Sequence, residues 1–238
     1  MGNSHEFDDV ISLLSDQFCC LTVDLPGHGK TQVLGGEECY RMSSTAHALI
    51  DWLDQLNVET CFLVGYSMGG RLALYLNLYF PHRFSKIVLE SASPGLKLHR
   101  DRLERKQRDF ELAKTLEESD FLIFLENWYA QPLFASLKKH PKFKYLIENR
   151  LQNNPVELAK SLRDLSSGCQ PCLWEKIKEN QNSLLLLVGE YDTKFIAINS
   201  EMARLCPSAT LEVVSNCGHN IHFENPKTFV ANVLTFLT

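Results

Sequence analysis

Three side chains far apart in this 238-residue chain have the types needed for serine-based chemistry: Ser67, Asp192 and His219. A serine hydroxyl is a weak nucleophile and a weak base until an imidazole takes its proton. That imidazole needs a carboxylate to fix its tautomer. Ser67 stands in Gly65-Tyr66-Ser67-Met68-Gly69, a G-x-S-x-G pattern that gains meaning where a strand enters and a helix leaves. Thr60 to Val64 reads as that strand, and Leu72 to Leu76 as that helix. Gly65 and Gly69 are expected to leave room for a hard backbone turn. The Met68 N–H then becomes an oxyanion donor at a helix N-terminus. Asp192 lies just past the apolar run Leu184 to Val188, and His219 just past Leu211 to Val214. Both positions are those of residues at the carboxyl ends of parallel strands. Asp192 could instead only cap the next helix, with Glu190 the competing acid, and His222 is the competing base.

The elements that must position these residues follow a rhythm. His5 to Gln17 has the spacing of a short amphipathic helix, and Phe18 to Val23 reads as a buried strand ending at Asp24. Ser43 or Ser44 is expected to cap a helix running to Leu56. After the turn at Ser67 come a helix stopped by Pro81 and a buried strand from Phe84 to Glu90. Between Leu96 and Asn182 strand signals vanish, and charged helical stretches are broken at Pro132, Pro141 and Pro155. Alternation resumes with a strand at 183–189, a helix over Ile196 to Leu205, a strand over Thr210 to Val214 and a last helix from Pro226. Such alternation predicts an α/β fold with a mostly parallel sheet covered on both faces. Residues 1–95 and 183–238 form its core, and 96–182 a helical lid inserted between them.

Composition narrows the function. A net charge of −5 argues against nucleic acid or an anionic membrane as partner, and no apolar run is long enough to span a bilayer. Met1 to His5 lacks the basic-then-apolar form of a signal peptide, and Glu6 breaks the myristoylation pattern. Most of the eight cysteines lie in apolar runs, as free cysteines do in a reducing cytoplasm. Cys169-Gln170-Pro171-Cys172 stands alone and is read as incidental. No metal or cofactor is expected, and the protein is expected to be a cytoplasmic monomer acting on a small molecule. Asp24 and His28 are read as structural, with the Asp24 carboxylate holding its loop through backbone N–H groups.

Taken together, the motifs resemble one family. Asp24-Leu25-Pro26-Gly27-His28-Gly29, Gly65-Tyr66-Ser67-Met68-Gly69-Gly70-Arg71, Ser93-Pro94-Gly95-Leu96, Trp128-Tyr129-Ala130-Gln131-Pro132, Asp192-Thr193-Lys194-Phe195 and Gly218-His219-Asn220 are similar to those of the MenH enzymes. These are α/β-hydrolase-fold lyases of menaquinone and phylloquinone biosynthesis, the 2-succinyl-6-hydroxy-2,4-cyclohexadiene-1-carboxylate synthases. The resemblance implies elimination of pyruvate from an enolpyruvyl-bearing cyclohexene, with Ser67 acting as a base and no acyl-enzyme. It implies a substrate with three carboxylates, held by Arg71, Arg105 and Arg150, with Tyr66 and Trp128 lining the pocket. From the residues alone, Arg102, Arg105 and Arg108 would be a solvated helix face, whereas Arg71, one turn from Ser67, is poorly placed for that. A serine hydrolase on the same triad is the competing function, and a non-catalytic remnant is a third reading.

The chain departs from the family at its start. Met1 to Phe7 aligns just after the family's His-Gly-Phe loop, so that loop and the strands before it are absent from this sequence. The expectation is an interior gap in the sheet with unpaired backbone on both sides, and that Met1 is a late-called start or a fragment boundary. One lost oxyanion donor is worth roughly 10²–10³-fold in turnover.

Overall fold

The computed structural model describes residues 1–238. Four strands form one parallel sheet in the order β1 (Cys61–Tyr66), β2 (Phe84–Glu90), β3 (Ser183–Gly189) and β4 (Ala209–Val214). Helices in chain order are α1 (Asp8–Leu14), α2 (Met42–Gln55), α3 (Ser67–Tyr79), α4 (His99–Glu118), α5 (Phe121–Tyr129), α6 (Phe143–Arg150), α7 (Pro155–Asp164), α8 (Thr193–Leu205), α9 (Ile221–Glu224) and α10 (Pro226–Leu237). Short 3₁₀ turns link several of them.

The runs Ile87–Leu89 of β2 and Leu184–Val188 of β3 are apolar because both faces are covered. Ile87 and Leu89 of β2, with Leu184 and Leu186 of β3, pack with Leu53, Leu72, Leu76 and Met202 from α2, α3 and α8. The intervening Val88, Leu185 and Leu187 point the other way, to Val10 and Leu14 of α1 and Phe229 and Val233 of α10. Period-two alternation along each strand thus feeds two separate cores. Residues 99–179 are helical, as the missing strand signals predict, and carry small cores of their own around Leu116, Phe124 and Leu158 and around Leu125, Phe134 and Leu146. Leu165, Leu173, Trp174 and Ile177 join this segment to the sheet's first core.

Two local expectations are corrected. Phe18 to Val23 belongs to no strand, and Leu21 and Val23 are exposed. A strand exists only by pairing, and the neighbouring β1 pairs β2 alone. The free edge of β1, with Phe62 and Val64 exposed, instead lines one continuous cleft with the 18–23 segment. Nor do Ser43 and Ser44 cap α2: that helix starts at Met42 behind an extended Arg41, and both serines lie in its first turn.

Candidate active site

Ser67 occupies the junction between β1 and α3 with a positive φ of 47°, a strained conformation that functional turns retain. Tight packing around the turn enforces it. A Cβ on Gly65 would come within 2.6 Å of the Gly69 carbonyl oxygen, and one on Gly70 within 2.8 Å of the Ala92 Cβ. Nothing lies within 4 Å of a Cβ placed on Gly69, so the glycines that the turn requires are Gly65 and Gly70, not Gly69. Met68 falls in the first turn of α3, where backbone N–H groups lack intrahelical acceptors and remain available to an oxyanion.

The three residues singled out by type and spacing meet. Ser67 Oγ lies 2.9 Å from His219 Nε2, and His219 Nδ1 lies 2.6 Å from Asp192 Oδ2. Both His219 and Asp192 are buried. Asp192 ends the loop after β3 and also caps α8 by accepting the Phe195 N–H, so the capping role and the triad geometry coexist. The two loops are tied together: Glu190 N–H donates to the Val214 carbonyl and Tyr191 N–H to that of Cys217, each at 2.9 Å. The competing acid, Glu190, faces away and accepts the Asn216 N–H. His222, the competing base, pairs with Glu90 at 2.7 Å instead of approaching Ser67.

A cleft opens at Ser67, continuous with the groove beside β1, the two together enclosing about 1110 Å³; Tyr66, Arg71, Arg105, Trp128, Arg150 and His219 are among its lining residues. Tyr66 packs its ring 5.4 Å from that of His219, and Trp128 stacks near Phe124. Arg71 donates to the Gln170 side chain at 3.1 Å and to the Leu165 carbonyl at 2.8 Å. Burial, reinforced by repulsion from the Arg105 charge, brings its pKa down to about 10. Asp109, paired with Arg105, partly offsets that repulsion, and the two guanidiniums give the cleft a cationic wall suited to an anion.

Arg105 is not a freely solvated residue, because its Nε reaches both Asp109 oxygens at 2.8 Å. Asp109 is in turn fixed by the Ser166 hydroxyl at 2.6 Å. Arg102, by contrast, turns back to the Leu96 and Lys97 carbonyls. Arg150, implied by the resemblance to hold a substrate carboxylate, already has protein partners. It is 3% exposed, its Nη2 forms an ion pair with Glu6, and its Nε donates to the Tyr129 hydroxyl at 2.9 Å.

Asp24 holds its loop as expected, accepting the N–H groups of Ser4 at 2.7 Å and Lys30 at 2.9 Å. His28 is buried beside the Pro26 carbonyl, and burial pushes its pKa down to about 3. Sequence reasoning missed Glu6, Glu90, Tyr129 and Gln170. Only Glu90 left a trace, a carboxylate closing the buried strand Phe84 to Glu90. Gln170, inside the C-x-x-C stretch, is the part of it that touches the site, and all eight cysteines are free.

A profile of the α/β-hydrolase fold matches residues 1–226. A Bacillus subtilis protein described as a 2-succinyl-6-hydroxy-2,4-cyclohexadiene-1-carboxylate synthase is 39% identical over 92% of this chain and 80% of its own length. The chloroplastic protein PHYLLO of Arabidopsis thaliana is 33% identical over the whole chain, which spans 15% of that much longer protein. Among solved structures, MenH from S. aureus superposes with a TM-score of 0.94 at 36% identity, covering 99% of this chain and 89% of that one.

Proposed function

Because the chain belongs to the 2-succinyl-6-hydroxy-2,4-cyclohexadiene-1-carboxylate synthase family of α/β-hydrolase-fold enzymes, we propose that Ser67, His219 and Asp192 carry out its pyruvate elimination. The reaction serves menaquinone or phylloquinone biosynthesis. His219 accepts the Ser67 proton, and Ser67 Oγ removes a proton from the cyclohexene ring. The electron pair passes through an enolate on the succinyl carbonyl, forms a new ring double bond, shifts the existing one by one position and expels the enolpyruvyl oxygen. The proton returns through His219 to the departing enolate, which leaves as pyruvate, so the proton inventory closes. Asp192 keeps the imidazole in the tautomer that can accept from Ser67. Met68 N–H stabilises the developing enolate oxygen. Arg71 and Arg105 hold substrate carboxylates, with Arg150 at the third, while Tyr66 and Trp128 bound the pocket. The helical segment 96–182 acts as the lid that carries Arg105, Trp128 and Arg150 to the cleft.

The observation that carries this reading is that the Ser67 relay opens, in one cleft, onto the half-buried guanidiniums of Arg71 and Arg105. A neutral ester gains nothing from converging cations, whereas a trianion does. No helix is long and apolar enough to cross a membrane, and the unpaired cysteines support a reducing, cytoplasmic setting. The test is to compare pyruvate release from the enolpyruvyl substrate with cleavage of p-nitrophenyl acetate. Pyruvate release with little ester cleavage is expected; ester cleavage without pyruvate release would make the protein a hydrolase.

A further inference from the structure

Behind Tyr66 lies a second set of ionisable side chains that the Ser67 relay does not use. Glu90, fully buried at the end of β2, accepts the His222 backbone N–H at 3.1 Å and faces His222 Nδ1 at 2.7 Å. The opposite ring nitrogen of His222, Nε2, is buried without a hydrogen-bond partner and lies 4.0 Å from Glu6 Oε1. Glu6 receives Nδ2 of Asn220 at 3.0 Å and Nη2 of Arg150. Phe7 stacks on the His222 ring at 4.1 Å, and Tyr66 meets it edge-on at 4.8 Å, so water has little access.

Along this path the charges alternate: Glu90, His222, Glu6, Arg150. Burial opposes a charge on His222, but Glu90, followed by Glu6, outweighs it and raises the pKa, with Arg150 pulling weakly the other way. For Glu6, burial alone would favour the neutral acid, yet Arg150 and His222 hold it down to about 2. An ionised Glu6 and the Tyr129 hydroxyl together occupy Nη2 and Nε of Arg150 and leave Nη1 with no hydrogen bond.

We propose that Glu6, His222 and Glu90 are positioning residues for Arg150: the His222 imidazolium braces Glu6, and Glu6 fixes the guanidinium so that Nη1 meets a substrate carboxylate. The proposal rests on the reading of Arg150 as a substrate cation. Glu6 is then an aligner of Arg150 and not a rival to the substrate for it.

Steady-state pyruvate release separates these roles. Glu6→Gln and His222→Gln are each expected to raise KM for the tricarboxylate about tenfold, the scale of one misplaced charge-assisted hydrogen bond, with a smaller change in kcat. In an Arg150→Met background, Glu6→Gln should add no further rise in KM. A lowered or unchanged KM in Glu6→Gln, a loss confined to kcat, or an equal additional rise without Arg150 would each overturn the proposal. Should His222→Gln fail to fold, Glu6→Gln and the double variant decide alone. If the unsubstituted protein releases no pyruvate, the reading of the site fails, and the brace is judged separately by NMR titration of His222. Its titration must move to lower pH in Glu6→Gln and in Glu90→Gln, and an unmoved titration overturns it.

Discussion

His219 Nδ1 sits 2.6 Å from an Asp192 oxygen while the other oxygen of the same carboxylate caps α8. One side chain thus fixes both the His219 imidazole and the start of α8. The two duties separate under substitution. Asparagine caps helices about as well as aspartate but cannot hold the imidazole in the accepting tautomer. Asp192→Asn should therefore lower kcat by about 10³–10⁴-fold while changing the melting temperature little. Asp192→Ala should lose the same activity and about 1 kcal/mol of stability as well. Pyruvate release and thermal unfolding on the two variants check this.

The charge on Arg71 is weakened by burial and then by Arg105, which leaves it with a pKa of about 10. It remains a cation at neutral pH and loses its proton as pH approaches that value, so KM should rise on the alkaline side while the substrate's carboxylates stay ionised. In Arg105→Met the repulsion disappears and the alkaline rise should move to higher pH, even though KM is raised at all pH values. A pH series of KM on both proteins shows the movement. Gln170→Leu, which strips Arg71 Nη1 of its partner, should raise KM by about threefold to tenfold.

The Glu6–Arg150 and Glu90–His222 pairs predict stability changes of opposite direction with pH. Glu6 has a pKa of about 2 in the folded protein, below the roughly 4.3 of an unfolded chain. Its contribution is complete above the unfolded value and is lost as pH falls toward 2. His222 is raised by Glu90 against the effect of burial, so its contribution is complete below about pH 6.5 and fades as pH climbs through its folded value. Urea unfolding between pH 2.5 and 9 should show Glu6→Gln losing most at neutral pH and converging with the parent in acid. Glu90→Gln should lose most at and below pH 6.5 and converge with the parent as pH rises.

The turn at Ser67 distinguishes its glycines. Gly65→Ala drives a Cβ to 2.6 Å from a backbone oxygen, whereas Gly69→Ala meets nothing within 4 Å. Gly65→Ala should cost about 1–3 kcal/mol through overpacking and impair activity with it. Gly69→Ala, in the first turn of a helix, should be neutral or stabilising by a few tenths of a kcal/mol. Chemical denaturation of the two variants reads the difference.

How much of this was legible in the sequence follows from what each residue leaves behind locally. Ser67, Asp192 and His219 each stand just beyond a recognisable apolar strand, so their convergence at one sheet end could be read without coordinates. Phe18 to Val23 has the composition of a strand whether or not a neighbour pairs with it, and composition could not show that none does. Gly69 fits the motif as well as Gly65 does, and only the proximity of Ala73 and Ala92 separates the turn's required glycines from the permissive one. Glu6 and Arg150 lie 144 residues apart, and no periodicity links such a pair. The family resemblance therefore implied a substrate role for Arg150 without revealing the carboxylate already bound to it.

The central claim is that Ser67 removes a ring proton and forms no ester. Single-turnover reaction with substrate deuterated at that ring carbon tests it most directly, with mass spectrometry of the quenched protein alongside. The account predicts slowed pyruvate formation from the deuterated substrate, an unmodified protein mass throughout, and a loss of about 10²–10⁴-fold in Ser67→Ala. An acyl adduct on Ser67 with no isotope effect, or full activity in Ser67→Ala, would contradict it.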